Sequence, residues 1–250
     1  MRLTKDQQLA KSALAALLRD TEEADVRYDS LAVSHGGRIV STDIARFLDV
    51  RYRDVPLGRP RDPVPGWDLA WRYAQDRLVR ELKQRGRRKV VRFMAGGWGA
   101  GKTHALEHEP VPDLAWDGTL RDPEWADQMI CLAIGNGWKV DVAYIFRDIE
   151  LALYGAVERS RKEGRSVPLR ELPGVHRAVQ ISILSLIARF RKNNNVSFTL
   201  LHNTGSEHVR GQALVFLDPE LDEPGALHYS QRHENYYTEI AGKIEAHNPA

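Results

Sequence analysis

Cysteine is almost absent from this sequence, which contains only Cys131 among its 250 residues. A single cysteine excludes an internal disulfide and any zinc site built mainly from thiolates. Because Cys131 lies in the apolar, helix-like stretch ADQMICLAIG, we expect its thiol to be buried and to serve packing rather than catalysis.

Long hydrophobic runs are also lacking, because no apolar stretch approaches the roughly 20 residues of a membrane-spanning helix. The first residues, MRLTKDQQLA, do not contain the apolar segment of a signal peptide. We therefore expect a cytoplasmic protein with no membrane partner.

A strong net charge is missing as well, since 36 basic and 34 acidic residues leave a formal charge of +2. The basic run RELKQRGRRK (80–89) falls at the end of a predicted helix, where cations complement the helix dipole. No aromatic residues are interleaved with it, as binding to single strands would favour. Nucleic acid is therefore the less favoured kind of partner.

Buried-type strands alternate with helical segments over most of the chain. Apolar spacing predicts helices at about 5–20 and 67–85, and the proline-rich stretch 54–66 predicts a long loop or an internal joint. The predicted strands are GGRIVSTD (36–43), KVVRFMAG (89–96), LAWDGT (114–119), WKVDVAYIF (138–146), VSFTLLHN (196–203) and ALVFLD (213–218). This alternation indicates an α/β fold with a parallel sheet and helices on both faces.

One glycine-rich stretch, AGGWGAGKTH (95–104), contains the phosphate-binding pattern G-x-x-x-x-G-K-[ST] between a strand and a helix. Its glycines let successive backbone N–H groups point at phosphate oxygens. In this pattern Lys102 reaches the β and γ phosphates, and the Thr103 hydroxyl is a ligand of Mg²⁺. The pattern predicts ATP and Mg²⁺ as cofactors, held by Gly97, Trp98, Gly99, Ala100, Gly101, Lys102, Thr103 and His104.

A second pattern overlaps the first, because His104, Glu107 and His108 spell H-x-x-E-H, which occurs in some zinc proteases. Two histidines four residues apart on a helix could bind zinc. The same helix already opens on the phosphate-binding loop, however, so we favour the nucleotide site.

The loop alone does not identify what receives the phosphate. WKVDVAYIFRD resembles the Walker-B strand of motors and switches, with Asp148 at its end, but Arg147 intervenes. No base-specificity motif of G proteins is evident, and the short chain favours a small kinase.

The stretches AGGWGAGKT, WDGTL and WKVDVAYIFRD, followed by ALYGAVERSRKEGRSVPL and His176, resemble the zeta-toxin family of P-loop kinases over roughly residues 88–205. Zeta toxins use ATP to phosphorylate the 3′-hydroxyl of UDP-N-acetylglucosamine and so poison cell-wall synthesis. The resemblance implies a P-loop NTPase-like fold and an ATP-dependent phosphotransferase acting on a hydroxyl of a small molecule such as a UDP-sugar. It also implies a possible antitoxin partner.

The resemblance further implies roles for five residues around the loop. Asp117 and Thr119 match the family's strand end that contacts the acceptor. Arg159, Arg161 and Arg165 lie where the family has lid arginines, and we assign Arg159 and Arg165 to catalysis and Arg161 to substrate binding. Arginine suits this place because charge spreads over the equatorial phosphoryl oxygens in the transition state. The alternative for each arginine is a solvated helix surface.

The sequence departs from the family at the catalytic aspartate, which the family places on a strand just after the P-loop helix. Only thirteen residues separate Thr103 from Asp117, too few for an extra strand. The nearest counterpart lies upstream in STDIAR, where Asp43 and Arg46 form a D-x-x-R pattern like the family's. We predict that this strand joins the sheet beside the P-loop strand, with Asp43 as the general base and Arg46 contacting substrate. The alternatives are that Asp43 only caps a helix and that Asp117 is the base.

The chain is thus predicted to be an N-terminal helical extension (1–35) followed by a P-loop kinase-like α/β domain (36–250). Two other functions stay open. One is a polynucleotide or nucleoside-type kinase of the same fold, and the other is a non-catalytic ATP-binding module that docks a partner.

The choice between the two overlapping patterns predicts the metal content. We expect the purified protein to require Mg²⁺ with ATP and to contain no stoichiometric zinc. Elemental analysis checks this, and one zinc per chain that is lost in His104→Ala would establish the H-x-x-E-H site instead.

Overall fold

The computed structural model describes residues 5–49, 66–84, 86, 89–108, 110–163, 167–203, 214–217, 238–239 and 241–243. The predicted loop at 54–66 lies outside these ranges except for Gly66, which immediately precedes a helix.

Helices and strands alternate as the sequence predicts. The helices of the element order are α1 (Lys5–Leu17), α2 (Thr21–Asp29), α3 (Thr42–Ala45), α4 (Trp67–Lys83), α5 (Lys102–His108), α6 (Pro123–Gly135), α7 (Ile149–Glu163) and α8 (Leu172–Phe190). The strands are β1 (Ile39–Val40), β2 (Val90–Ala95), β3 (Leu114–Asp117), β4 (Lys139–Phe146), β5 (Val196–Asn203) and β6 (Leu214–Leu217). Within the described ranges, no helix is long and apolar enough to cross a membrane.

The strands form one sheet in the order β1-β3-β2-β4-β5-β6. The first five are parallel, and β6 pairs with β5 in the antiparallel sense. The predicted α/β class with a parallel sheet is therefore confirmed. The carboxyl ends of the parallel strands meet at one edge, which is where such sheets bind ligands.

The upstream strand joins the sheet as predicted, but not at the predicted place. Ile39 and Val40 pair with Ala115 and Trp116 of β3, which lies between β1 and the P-loop strand β2. The expectation that β1 lies beside β2 is wrong, because β3 is a buried strand whose backbone groups need partners on both sides.

The strand also ends earlier than predicted. It stops at Val40, and Asp43 lies in the first turn of α3. The Ser41 side chain accepts a hydrogen bond from the Asp43 backbone N–H (3.2 Å) and so caps this helix. Ser41, and not Asp43, is therefore the capping residue.

The N-terminal helices share the core of the sheet through Leu14, Ala24 and Tyr28, all of which are buried. The Tyr28 hydroxyl donates to the Ile39 carbonyl and accepts from the Ser41 N–H, both at 2.9 Å. A side chain of α2 thus fixes the short strand β1 at its carboxyl end. The division of the chain at residue 35 stays a prediction.

Helix α6 explains why the expectation for Cys131 is wrong. Its buried face consists of Ala126, Ile130 and Ala133, at the spacing of helical turns. Cys131 falls outside this face and is exposed to solvent.

Candidate active site

The glycine-rich loop connects β2 to α5 at the carboxyl edge of the sheet, in the strand–loop–helix context that the pattern requires. Gly99 has a φ of +76°, and Gly101 has a φ of +98°, a region that favours glycine. A Cβ atom on Gly99 would also collide with the carbonyl oxygen of Ala152 in α7. The loop therefore needs glycine at position 99 both for its backbone conformation and for its packing.

Lys102 lies over the loop that precedes it. Its Nζ donates to the carbonyl oxygens of Gly96 (2.9 Å) and Gly97 (3.1 Å). Burial lowers its pKa to about 8, with Asp117 opposing the shift and Arg159 adding to it. The ammonium group is therefore still mostly charged at neutral pH, and it is held by groups that a phosphate could replace.

Asp117 ends β3, the strand next to β2, at a position where Met94 is its register partner. Its carboxylate accepts a hydrogen bond from the Thr103 side chain and interacts electrostatically with Lys102 and Arg159. Burial raises the pKa of Asp117 more than these three neighbours lower it. A hydroxyl and a carboxylate side by side are oxygen donors of the kind that Mg²⁺ uses with substrate phosphates. Thr103 and Asp117 therefore fit a magnesium site.

The predicted acceptor and lid residues are only partly brought together. Thr119 lies beside the loop, because its carbonyl accepts from the Gly96 N–H at 3.3 Å. Arg159, half-buried on α7, lies within electrostatic reach of Lys102 and Asp117. Arg161 is 73% exposed and pairs with Glu158 of its own helix at 3.1 Å. Arg165 lies outside the described residues.

Asp43 and Arg46 form an ion pair, with an oxygen and a nitrogen 3.5 Å apart. Their distance from the loop follows from the register of the sheet. Val40 and Phe93 are both partners of Trp116, so β1 and β2 are level on the two sides of β3. Two inter-strand steps separate them by about 10 Å. Asp43, three residues after Val40, therefore lies beyond the carboxyl edge of β1, while the loop lies beyond that of β2.

Two side chains at the site were not assigned a role by the sequence reasoning. His176 of α8 is buried with its Nε2 2.9 Å from the Trp98 carbonyl oxygen. Arg147, which follows β4, donates to the Gly99 carbonyl at 2.9 Å. Both could have been suspected, since Arg147 follows a strand end and His176 belongs to the family-like pattern. Asp148 accepts from the Glu150 N–H (2.9 Å) and so caps α7.

The overlapping zinc pattern lies on α5, but the side chains of Glu107 and His108 are outside the described part of the structure. Among the side chains that are described, no group of three or more histidine, cysteine, aspartate or glutamate residues could hold a metal ion. The zinc alternative therefore stays untested.

The fold and the loop together define a P-loop α/β protein, with lysine, threonine, aspartate and arginine side chains gathered at one edge of a parallel sheet. The family model for zeta toxin matches residues 112–207, which confirms the resemblance seen in the sequence. The match runs from just before β3 to just past the end of β5 and leaves the P-loop and β1 outside it.

Among solved structures, one similar chain comes from work on the PezAT chromosomal toxin–antitoxin system of Streptococcus pneumoniae. The two chains share 13% identity, the match covers 98% of each, and the TM-score is 0.44. No curated protein matches the sequence.

The buried histidine predicts a pH dependence of stability. Burial lowers the pKa of His176 to about 4, below its value of about 6.5 in an unfolded chain. Between these pH values the unfolded state binds more protons, so the free energy of unfolding falls as the pH drops from 6.5 to 4. For this one group the loss is on the order of 3 kcal/mol.

Urea unfolding at several pH values checks this expectation. His176→Gln should lose clearly less stability than the wild type over the same interval, because glutamine does not titrate. Parallel pH profiles for the two proteins would show that His176 titrates normally in the folded protein.

Proposed function

We propose that the protein is an ATP-dependent phosphotransferase that transfers the γ-phosphoryl group to a hydroxyl of a small molecule, with a UDP-sugar as the first acceptor to test. The observation that carries this proposal is the cluster of Lys102, Thr103, Asp117 and Arg159 at the carboxyl edge of the sheet. Phosphoryl transfer requires these kinds of groups, since catalysis depends on positioning and on stabilising charge on the moving group.

Lys102 and Arg159 supply positive charge where the phosphates bind. The Lys102 ammonium would exchange its two bonds to loop carbonyls for bonds to phosphate oxygens. When bound, ATP with Mg²⁺ supplies the phosphoryl group, and Thr103 and Asp117 would hold the metal ion. Arg159 would stabilise the charge that spreads over the transferred group.

The two aspartates take different roles in this proposal. Asp117 already contacts Thr103 and Lys102, so it belongs to the metal side of the site. Asp43 follows β1, which lies on the far side of β3 from the P-loop strand β2, and the separation of about 10 Å between β1 and β2 leaves room for an acceptor between Asp43 and the phosphates held by the loop. As the acceptor oxygen bonds to phosphorus and the bond to ADP breaks, the hydroxyl proton would pass to the Asp43 carboxylate and then to water. Asp117 stays the alternative base.

Two rival functions, a non-catalytic ATP-binding module and a kinase with another acceptor, differ from the proposed one in what they require of the site. A non-catalytic ATP-binding module could use Asp117 and Thr103 to hold Mg²⁺ in the same way but would need no general base, so it would bind ATP without transferring phosphate to any acceptor. A polynucleotide or nucleoside-type kinase would use the same site with another acceptor. An antitoxin partner and a cytoplasmic location stay predictions from the family resemblance and the sequence.

Lys102→Ala tests whether the loop carries the activity. We expect phosphoryl transfer to fall by roughly 10²–10³-fold or more, because a preorganised positive charge is removed from the transition state. The assay incubates labelled ATP and Mg²⁺ with nucleotide-sugars and, in parallel, with oligonucleotides. Lys139→Ala, which changes an exposed lysine, is the matched control and should keep wild-type activity. Full activity in a folded Lys102→Ala protein would refute the proposal.

Asp43→Asn tests the general base. We expect phosphoryl transfer to slow by roughly 10²–10⁴-fold with ATP binding and stability unchanged, since the amide has almost the same shape but cannot accept the proton. Asp117→Asn should instead raise the Mg²⁺ concentration needed for half-maximal activity. Asp68→Asn, which changes an exposed aspartate, is the control. Normal turnover by Asp43→Asn, together with an inactive Asp117→Asn protein, would identify Asp117 as the base.

A further inference from the structure

Three successive carbonyl groups of the phosphate-binding loop accept hydrogen bonds from three different parts of the fold. The Trp98 carbonyl is bound by His176 Nε2 (2.9 Å), and the Gly99 carbonyl by Arg147 Nη1 (2.9 Å). The Ala100 carbonyl is bound by Asn203 Nδ2 at 2.8 Å. We call these three side chains the carbonyl clamp.

The clamp holds the carbonyl of each peptide group, which points away from the side on which the N–H would meet a phosphate. In a trans peptide the C=O of one residue and the N–H of the next point in opposite directions, and the described residues contain no cis peptide bond. Holding the carbonyls of Trp98, Gly99 and Ala100 therefore also directs the N–H groups of the three following residues to the opposite side of each peptide plane. N–H groups that point inward at phosphate oxygens are what such a loop requires.

The clamp residues are well suited to hold the phosphate-binding loop in one conformation. His176 and Asn203 are 6% and 0% exposed, so surrounding atoms restrict their rotamers. They come from α8 and from the end of β5, and Arg147 follows β4. The His176 ring also packs so closely against Gly97 that a Cβ atom there would collide with it. The loop is therefore held by side chains that lie far from it in sequence.

We propose that His176, Arg147 and Asn203 are positioning residues that preform the phosphate cradle and thereby set its affinity for polyphosphate, without themselves touching the nucleotide. The proposal rests on the nucleotide-binding half of the proposed function and does not depend on phosphoryl transfer. Because a preformed site has less ordering to do on binding, loss of one clamp bond weakens binding even though every phosphate-contacting group is still present.

The test measures binding of ADP and of inorganic tripolyphosphate, which presents phosphates without a base or a sugar, by calorimetry with Mg²⁺. The variants are His176→Phe, Arg147→Met and Asn203→Leu, each of which keeps the approximate size of the side chain and removes the donor. We expect each to raise the Kd of both probes by roughly fivefold or more, the effect of losing about one net hydrogen bond. Arg191→Met, at the end of α8, changes an exposed arginine and should leave both values unchanged.

His176→Gln separates positioning from packing, because its amide can reach the Trp98 carbonyl and restore the donor. We expect it to bind tripolyphosphate within about twofold of the wild type, while the phenylalanine variant stays weak. Thermal unfolding identifies variants that fail to fold, and Asn203→Leu and Arg147→Met then provide independent tests at the neighbouring carbonyls.

Folded variants that lack a clamp donor but bind both probes like the wild type would overturn the proposal. If the His176→Gln variant bound tripolyphosphate as weakly as the His176→Phe variant does, the proposal would also be overturned for His176. A wild-type protein that binds ADP but phosphorylates no acceptor would refute the proposed transferase activity and leave the clamp result valid.

Discussion

The parallel pairing of β2 with β3 is the constraint on which the site depends. Register places Met94 opposite Asp117, so the carboxylate at the end of β3 lies next to the loop that begins just after β2. The Thr119 carbonyl then bonds the Gly96 N–H and fixes the start of that loop. Without this pairing, Lys102 and Thr103 would lack the carboxylate that interacts with both.

The short strand β1 extends the sheet on the side of β3 that faces away from β2, and it comes from the N-terminal part of the chain. The chain between α5 and β3 is too short to hold another strand, and the position beyond β3 is taken by residues that precede the loop in sequence. A two-residue strand has little pairing of its own, and the Tyr28 hydroxyl bonds backbone groups at its carboxyl end. Helix α2 therefore helps to place the D-x-x-R segment just beyond the carboxyl end of β1.

In the described part of the structure, the loop is surrounded by more cationic than anionic side chains, an arrangement that favours an anionic ligand. Arg159 interacts electrostatically with both Lys102 and Arg147, and burial lowers the pKa of both Lys102 and Arg147. Asp117 is the carboxylate that opposes the shift of Lys102. Polyphosphate would supply the negative charge that Lys102 and Arg159 attract, which is the physical link between the fold and the proposed chemistry.

Local sequence determined the helices, the strands and the phosphate-binding loop, because each depends on short-range rules. Alternating apolar stretches gave the strand positions, and the G-x-x-x-x-G-K-T spacing located the loop and its helix. The same patterns correctly indicated an α/β fold and a strand contributed from upstream.

The tertiary structure decided what depends on neighbours distant in sequence. The position of β1 beyond β3 follows from backbone pairing on both sides of β3, and a strand's own residues do not specify its neighbours. Cys131 looked buried in an apolar stretch, yet its place on the helix circumference exposes it. Arg147, His176 and Asn203 are separated from the loop by 48, 78 and 103 residues in the pairs they form. Only folding brings these side chains to one loop. The sheet aligns the ends of β4 and β5 that carry Arg147 and Asn203, and α8 places His176 against the same loop.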